Sequence, residues 1–135
     1  MSVAFTVEAR IAKVDAARQV AYGVVLEPRT ADNPDSQGDF YTADDVRDAC
    51  WAFGDAVSKA EGFSDLMHDG TSRIGWPRES WIAPEDFTLG DQVVKAGSWV
   101  IGMYYPDPAI WGLVVKGELG AFSIGGTGTR IYEAA

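Results

Sequence analysis

Two residues could do hydrolytic chemistry together. Ser123 stands in "GAFSIGGTG", an apolar run with glycines at 125, 126 and 128. The single histidine, His68, closes "FSDLMH" and is followed by "DG". A serine hydroxyl is a weak nucleophile until a base takes its proton, and imidazole is the usual base near neutral pH. If 121–125 is a strand, side chains alternate: Phe122 and Ile124 point toward a core, while Ala121, Ser123 and Gly125 point the other way. That pattern predicts open space above the hydroxyl. Glycines after a nucleophile also free backbone N–H groups to meet an oxyanion, which makes Gly125 and Gly126 candidate donors. The bland alternative is a strand serine bonded to a neighbour, with a glycine bend behind it. His68 has its own bland alternative, as a surface or core residue.

A third, orienting group would be a carboxylate. Asp65, Asp69, Glu79 and Glu133 are the candidates, with Glu79 in "RESW" preferred because it reads as a strand near His68. The G-x-S-x-G elbow of α/β-hydrolases does not apply: Gly120 lies three residues before Ser123, and no helix pattern follows. One cysteine and one histidine are too few for a metal site, and no cofactor is expected.

The elements that must position these residues follow from periodicity. Residues 3–13 alternate, with Val3, Phe5, Val7, Ala9 and Ile11 on one face, and 18–27 read as a hairpin partner. Residues 28–40 form a long polar loop, either a gate or a turn fixed by Gly38 and Asp39. Residues 42–60 predict a helix with Thr42 and Asp45 as its capping box and Val46, Cys50, Phe53 and Val57 as its apolar stripe. Strands are expected at 63–68, 77–83 and 98–105, with a hairpin between the last two. Residues 107–116 predict a short helix from Asp107 and Pro108 to Lys116, ended by Gly117. Trp76, Trp81, Trp99 and Trp111 suit a small core better than substrate subsites. Strands and helices do not alternate, which argues against a doubly wound parallel sheet. The expectation is a mainly β (α+β) single domain over 1–135: a small antiparallel β-barrel with two flanking helices.

The chain of 135 residues carries a formal charge of −9 and is 47% hydrophobic. A globular core is within reach, and a phosphate backbone would be repelled, so nucleic acid is not an expected partner. Neither a secretory signal nor a long apolar span is read, so no membrane is expected either.

The ordered runs "AYGVVLEP", "DSQGDFYTADDV", "ESWIAPEDF" and "GSWVIGMYYPDPAIWGLVVKGELGAFSIGGTGTR" resemble the XkdF-like serine proteases of tailed phages and prophages. The likeness covers roughly residues 18–131. That family is similar to phage prohead proteases and, more distantly, to herpesvirus assemblins, whose antiparallel barrel is surrounded by helices. The resemblance implies Ser123 as nucleophile and His68 as base. It implies scaffold and major capsid proteins as substrates, self-association, and work inside a procapsid in the host cytoplasm. Assemblins place a second histidine in the third position. This chain has none, so a carboxylate or water takes that role or the site is a dyad. The chain ends twelve residues after Ser123, earlier than relatives that continue further, which suggests a trimmed, processed or minimal form. Two other readings stand beside this one. One is a non-catalytic capsid or scaffold component with the protease fold. The other is a small-molecule esterase, which requires a deep apolar pocket beside Ser123.

Overall fold

A computed structural model describes residues 2–59, 64–65 and 73–129. Among the described residues, eight strands and two helices run in the order β1 (Ser2–Asp15), β2 (Val20–Leu26), α1 (Ala43–Ser58), β3 (Ser64–Asp65), β4 (Arg73–Ile82), β5 (Phe87–Leu89), β6 (Gln92–Val94), β7 (Trp99–Tyr104), α2 (Pro108–Val115) and β8 (Ala121–Thr129). Six strands form one sheet in the order β3-β4-β7-β2-β1-β8, and β5 pairs with β6. Every pairing is antiparallel.

The sheet curls. Its two edges are β3 and β8, and their Cα atoms come within 8 Å of each other. A strongly twisted sheet relieves its open edges by approaching closure in this way. The strand β1 is long enough to serve both halves. Its first part, Ser2–Arg10, pairs with β8, and its last part, Ile11–Asp15, pairs with β2. The change of partner occurs at a bulge between Ile11 and Lys13. The mainly β class with a curled antiparallel sheet and two helices is therefore present.

The concave face holds the main core. Ala9, Ala21, Val25, Trp99, Ile101, Met103, Tyr105, Phe122 and Ile124 meet there. Both helices bury residues in this same core, Val46, Cys50 and Phe53 from α1 and Trp111 and Val114 from α2. The sheet is thus a curled half-barrel with both helices packed into its core, where the sequence predicts a barrel with flanking helices. Fully burying an apolar side chain of this size contributes ~1.5–3 kcal/mol. The opposite face carries a smaller cluster of Ala83, Leu89, Val94 and Val100, covered by the β5–β6 hairpin.

Helix punctuation follows the sequence. The Thr42 hydroxyl accepts from the Asp45 N–H, and the Asp45 carboxylate accepts from the Thr42 N–H. Asp107 caps α2 by accepting from the N–H groups of Ala109 and Ile110. One expected apolar residue departs from the pattern: Val57 is 36% exposed, because the stripe ends at Phe53, whose ring lies 5.5 Å from that of Trp99. The strand expected at 77–83 begins earlier, at Arg73, and passes Pro77 through a bulge between Pro77 and Glu79. Proline cannot donate to a ladder, and Pro77, which pairs with Met103 of β7 alone, is followed at once by that bulge. No helix among the described residues is long and apolar enough to cross a membrane.

Candidate active site

Ser123 lies on β8, opposite Glu8 of β1. Phe122 and Ile124 do face the core, at 2% and 5% exposure. Ser123 is itself only 8% exposed, so the open space expected above it is a correction. Small neighbours on one strand do not by themselves keep a hydroxyl exposed, because tertiary packing decides what stands over it.

The ladder fixes which backbone groups accompany the hydroxyl. The Ile11 N–H donates to the Gly120 carbonyl at 2.9 Å, and the β1–β8 register continues from there without a shift. In an antiparallel ladder, bonded and non-bonded pairs alternate. Residues 120, 122, 124 and 126 therefore turn their N–H and C=O groups toward β1. Ala121, Ser123 and Gly125 turn theirs away from it, toward the side where β3 approaches. Of the two glycines, Gly125 has the N–H that shares Ser123's outward edge, and Gly126 donates into the ladder opposite Phe5.

His68, Asp69 and Glu133 lie outside the described residues. Asp65 lies on β3, paired with Arg73 of β4, on the strand that faces β8 across the seam. Glu79 lies elsewhere. Its carboxylate accepts from the Tyr22 hydroxyl at 2.5 Å and from the Trp81 Nε1–H at 3.3 Å. The hydrogen bond to Glu79 is the main cause that pushes the Tyr22 hydroxyl up to about 12. Glu79 stands in register with Gly102, Tyr22 and Lys13, whereas Ser123 stands in register with Glu8. Those two rows are five positions apart along β1, or roughly 16 Å at strand rise. The sheet does not bring Glu79 to Ser123. The signal that separates them is the alternation of Tyr22 with Ala21 in β2, which sends Tyr22 to the convex face and gives Glu79 a partner there.

Trp99 and Trp111 are core, at 3% and 8% exposure. Trp76 is 43% exposed, and Trp81 packs on Phe87 at 5.7 Å. One cleft of about 650 Å³ opens between α1 and β4, lined by Arg47, Cys50, Trp51 and Ser80 among others. A second, of about 530 Å³, opens beside Tyr22, Trp81 and Phe87. Neither cleft includes Ser123, so neither supplies the pocket an esterase requires. Burial raises the Cys50 thiol above its ordinary value, which suits a core residue better than a nucleophile.

Fold and site together define a mainly β domain whose candidate serine sits on an edge strand, at the seam where an antiparallel sheet curls back on itself. The chain belongs to the family described as "Putative phage serine protease XkdF", which matches residues 6–132. It is 34% identical over 130 residues to "Uncharacterized protein YqbD" of Bacillus subtilis (strain 168), covering 96% of this chain and 38% of that protein. It is 33% identical over 116 residues to "Phage-like element PBSX protein XkdF" of the same organism, covering 86% of this chain and 39% of that protein. The chain thus spans less than two-fifths of the length of these relatives. No solved structure matches.

Proposed function

We propose that this domain is a serine endopeptidase that cleaves phage scaffold and capsid proteins during procapsid maturation. Ser123 Oγ attacks the substrate carbonyl, and His68 takes the hydroxyl proton. The carbonyl oxygen becomes an oxyanion, held by the Gly125 N–H. His68 then returns the proton to the leaving amine, and water hydrolyses the acyl-enzyme by the same route. General-base help of this kind contributes ~10²–10⁴ in rate, and one oxyanion donor ~10²–10³.

The observation that carries this reading is the approach of β3 to the strand of Ser123. His68 follows Asp65 by three positions, and three residues of extended chain reach about 10–11 Å at most. In this proposal, His68 works at the seam. The same approach favours Asp65 over Glu79 as the orienting carboxylate. The family description supports the reaction class. Scaffold and capsid substrates, and work inside the procapsid, belong to the proposal; the phage description of the family is in keeping with them.

The test is co-expression with the cognate shell and scaffold proteins, followed by mass spectrometry of the products. Ser123→Ala is expected to abolish processing while the domain keeps its circular dichroism spectrum. His68→Ala is expected to lower the rate by ~10²–10⁴. Undiminished processing by the Ser123→Ala protein would sink the proposal.

The low exposure of Ser123 favours a second reading, a capsid or scaffold component that retains the fold without the reaction. A fluorophosphonate probe separates the two. A covalent adduct on Ser123 that disappears in His68→Ala supports the protease. No adduct in assembled procapsids supports the component.

A further inference from the structure

The convex face of β4 and β7 carries a cluster that the proposed reaction does not use. Trp76 stands opposite Tyr104, and their rings meet edge to face at 5.4 Å and 71°. The Arg78 guanidinium lies over the Tyr104 ring, 4.0 Å from its centroid. Arg78 is the residue that the Pro77–Glu79 bulge leaves unpaired in the ladder. A bulge of this kind re-aims one side chain, here onto a neighbouring ring.

Two features distinguish this cluster from ordinary surface. First, Arg78 makes no ion pair among the described residues, in a chain with 20 acidic and 11 basic side chains. Its sequence neighbour Glu79 is held instead by Tyr22 and Trp81. A guanidinium stacked on a ring keeps its N–H groups in its own plane, where a carboxylate can take two of them. Second, the cluster borders the seam. Gly75, next to Trp76, pairs with Ser64 of β3, and β3 lies against β8. Trp76 thus stands on the strand next to β3, the edge that approaches the strand of Ser123. An extended peptide crossing the seam would cover both.

We infer that Trp76, Arg78 and Tyr104 form a docking platform for an extended substrate segment that carries a carboxylate beside an apolar side chain. Arg78 takes the carboxylate, and the exposed faces of Trp76 and Tyr104 take the apolar group. The inference rests on the endopeptidase reading for its choice of a peptide as occupant.

Binding is tested apart from cleavage, on isotope-labelled Ser123→Ala protein followed by NMR. Two blocked pentapeptides serve as probes, Ala-Glu-Leu-Glu-Ala and Ala-Lys-Leu-Lys-Ala. The acidic peptide is expected to shift the Trp76 indole N–H resonance, and the basic one to leave it in place. Arg78→Gln is expected to weaken binding about tenfold. Arg78→Lys is expected to weaken it as well, since an ammonium offers no planar fork. Equal shifts from both peptides, or acidic-peptide binding that leaves Trp76 unmoved, would overturn the platform. If the acidic peptide binds here while the wild type cleaves no shell or scaffold protein, the protease reading falls and the platform stands. If the wild type cleaves them and Arg78→Gln binds the acidic peptide unchanged, the platform falls alone.

Discussion

Two serines, one exposed beside the core and one buried, make opposite predictions. The Ser80 hydroxyl accepts from the Trp99 Nε1–H at 2.9 Å and lies 3.7 Å from the Cys50 sulfur. Trp99 is 3% exposed, so its indole N–H needs that partner. Ser80→Ala is expected to cost about 1 kcal/mol, the net value of a typical hydrogen bond. Ser98 is fully buried, and its hydroxyl has no hydrogen-bond partner among the described residues. Removing an unsatisfied buried hydroxyl removes its desolvation penalty. Ser98→Ala is therefore expected to be neutral or stabilising by up to about 1 kcal/mol. Urea denaturation reads both, as midpoint shifts at constant slope. A loss of more than that on Ser98→Ala would mean that the hydroxyl has a partner after all.

At the scale of elements, the 28–40 loop holds a turn at Gly38 and Asp39, both of which bond to Asp35. The Asp35 carboxylate accepts from the N–H groups of Gln37 and Asp39 and from the Tyr41 hydroxyl at 3.0 Å. Gly38 takes a left-handed φ of 79°, and Asp39 joins the latch through its backbone N–H and C=O. Burial works to raise the Asp35 carboxyl, and the backbone and tyrosine hydrogen bonds outweigh it, so the group sits below its ordinary value. Burial, then the bond to Asp35, pushes Tyr41 up to about 12. The signs follow from linkage. The Asp35 contribution is complete above the unfolded value of ~3.9 and is lost as pH falls through the lower folded value. The Tyr41 contribution is complete below ~10 and is lost as pH rises toward 12. Asp35→Asn is thus expected to cost about 1–2 kcal/mol at pH 7 and progressively less below pH ~4. A wild-type-minus-variant difference in denaturation midpoint that stays constant from pH 7 to pH 2.5 would contradict the latch.

The same scale shows what the sequence could convey. Both helices, the capping box and the β1–β2 hairpin were legible, because each depends on contacts within a few positions. Three features depend on residues distant in the chain and were not. Val57 continues a helical stripe by spacing, but the sheet surface it would meet is set by Trp99. Pro77 reads as the start of a strand, but β4 already pairs with β3 at Arg73 and Gly75 and runs on through Pro77 along β7. Glu79 is near His68 along the chain, but register assigns it to Tyr22. The burial of Ser123 is not legible for a related reason, since residues distant in the chain decide what stands over one strand.

Across the whole molecule, stability should be graded from the centre of the sheet outward. The strands β2 and β7 lie between β4 and β1, and Ala21, Val100, Ile101 and Met103 on them are fully buried. The β5–β6 hairpin is a separate two-stranded sheet, laid over the smaller cluster. Its turn residue Gly90 has a φ of 61°, and a Cβ there would lie 1.9 Å from the Ala12 carbonyl oxygen. Glycine is thus required twice at this point, by conformation and by close approach to the β1 bulge. Hydrogen exchange is expected to find the slowest amides in β2 and β7, opening only with global unfolding at about 5–15 kcal/mol, and faster amides in the hairpin. In Gly90→Ala the hairpin must shift off β1, so its amides should lose protection by far more than those of β7. Val100 and Leu89 would then meet water, while the main core with Phe122 and Ile124 keeps its packing. An equal loss of protection in the hairpin and in β7 would mean that the two faces unfold as one unit. In that case the strand of Ser123 would owe its position to the convex cluster as much as to the concave core.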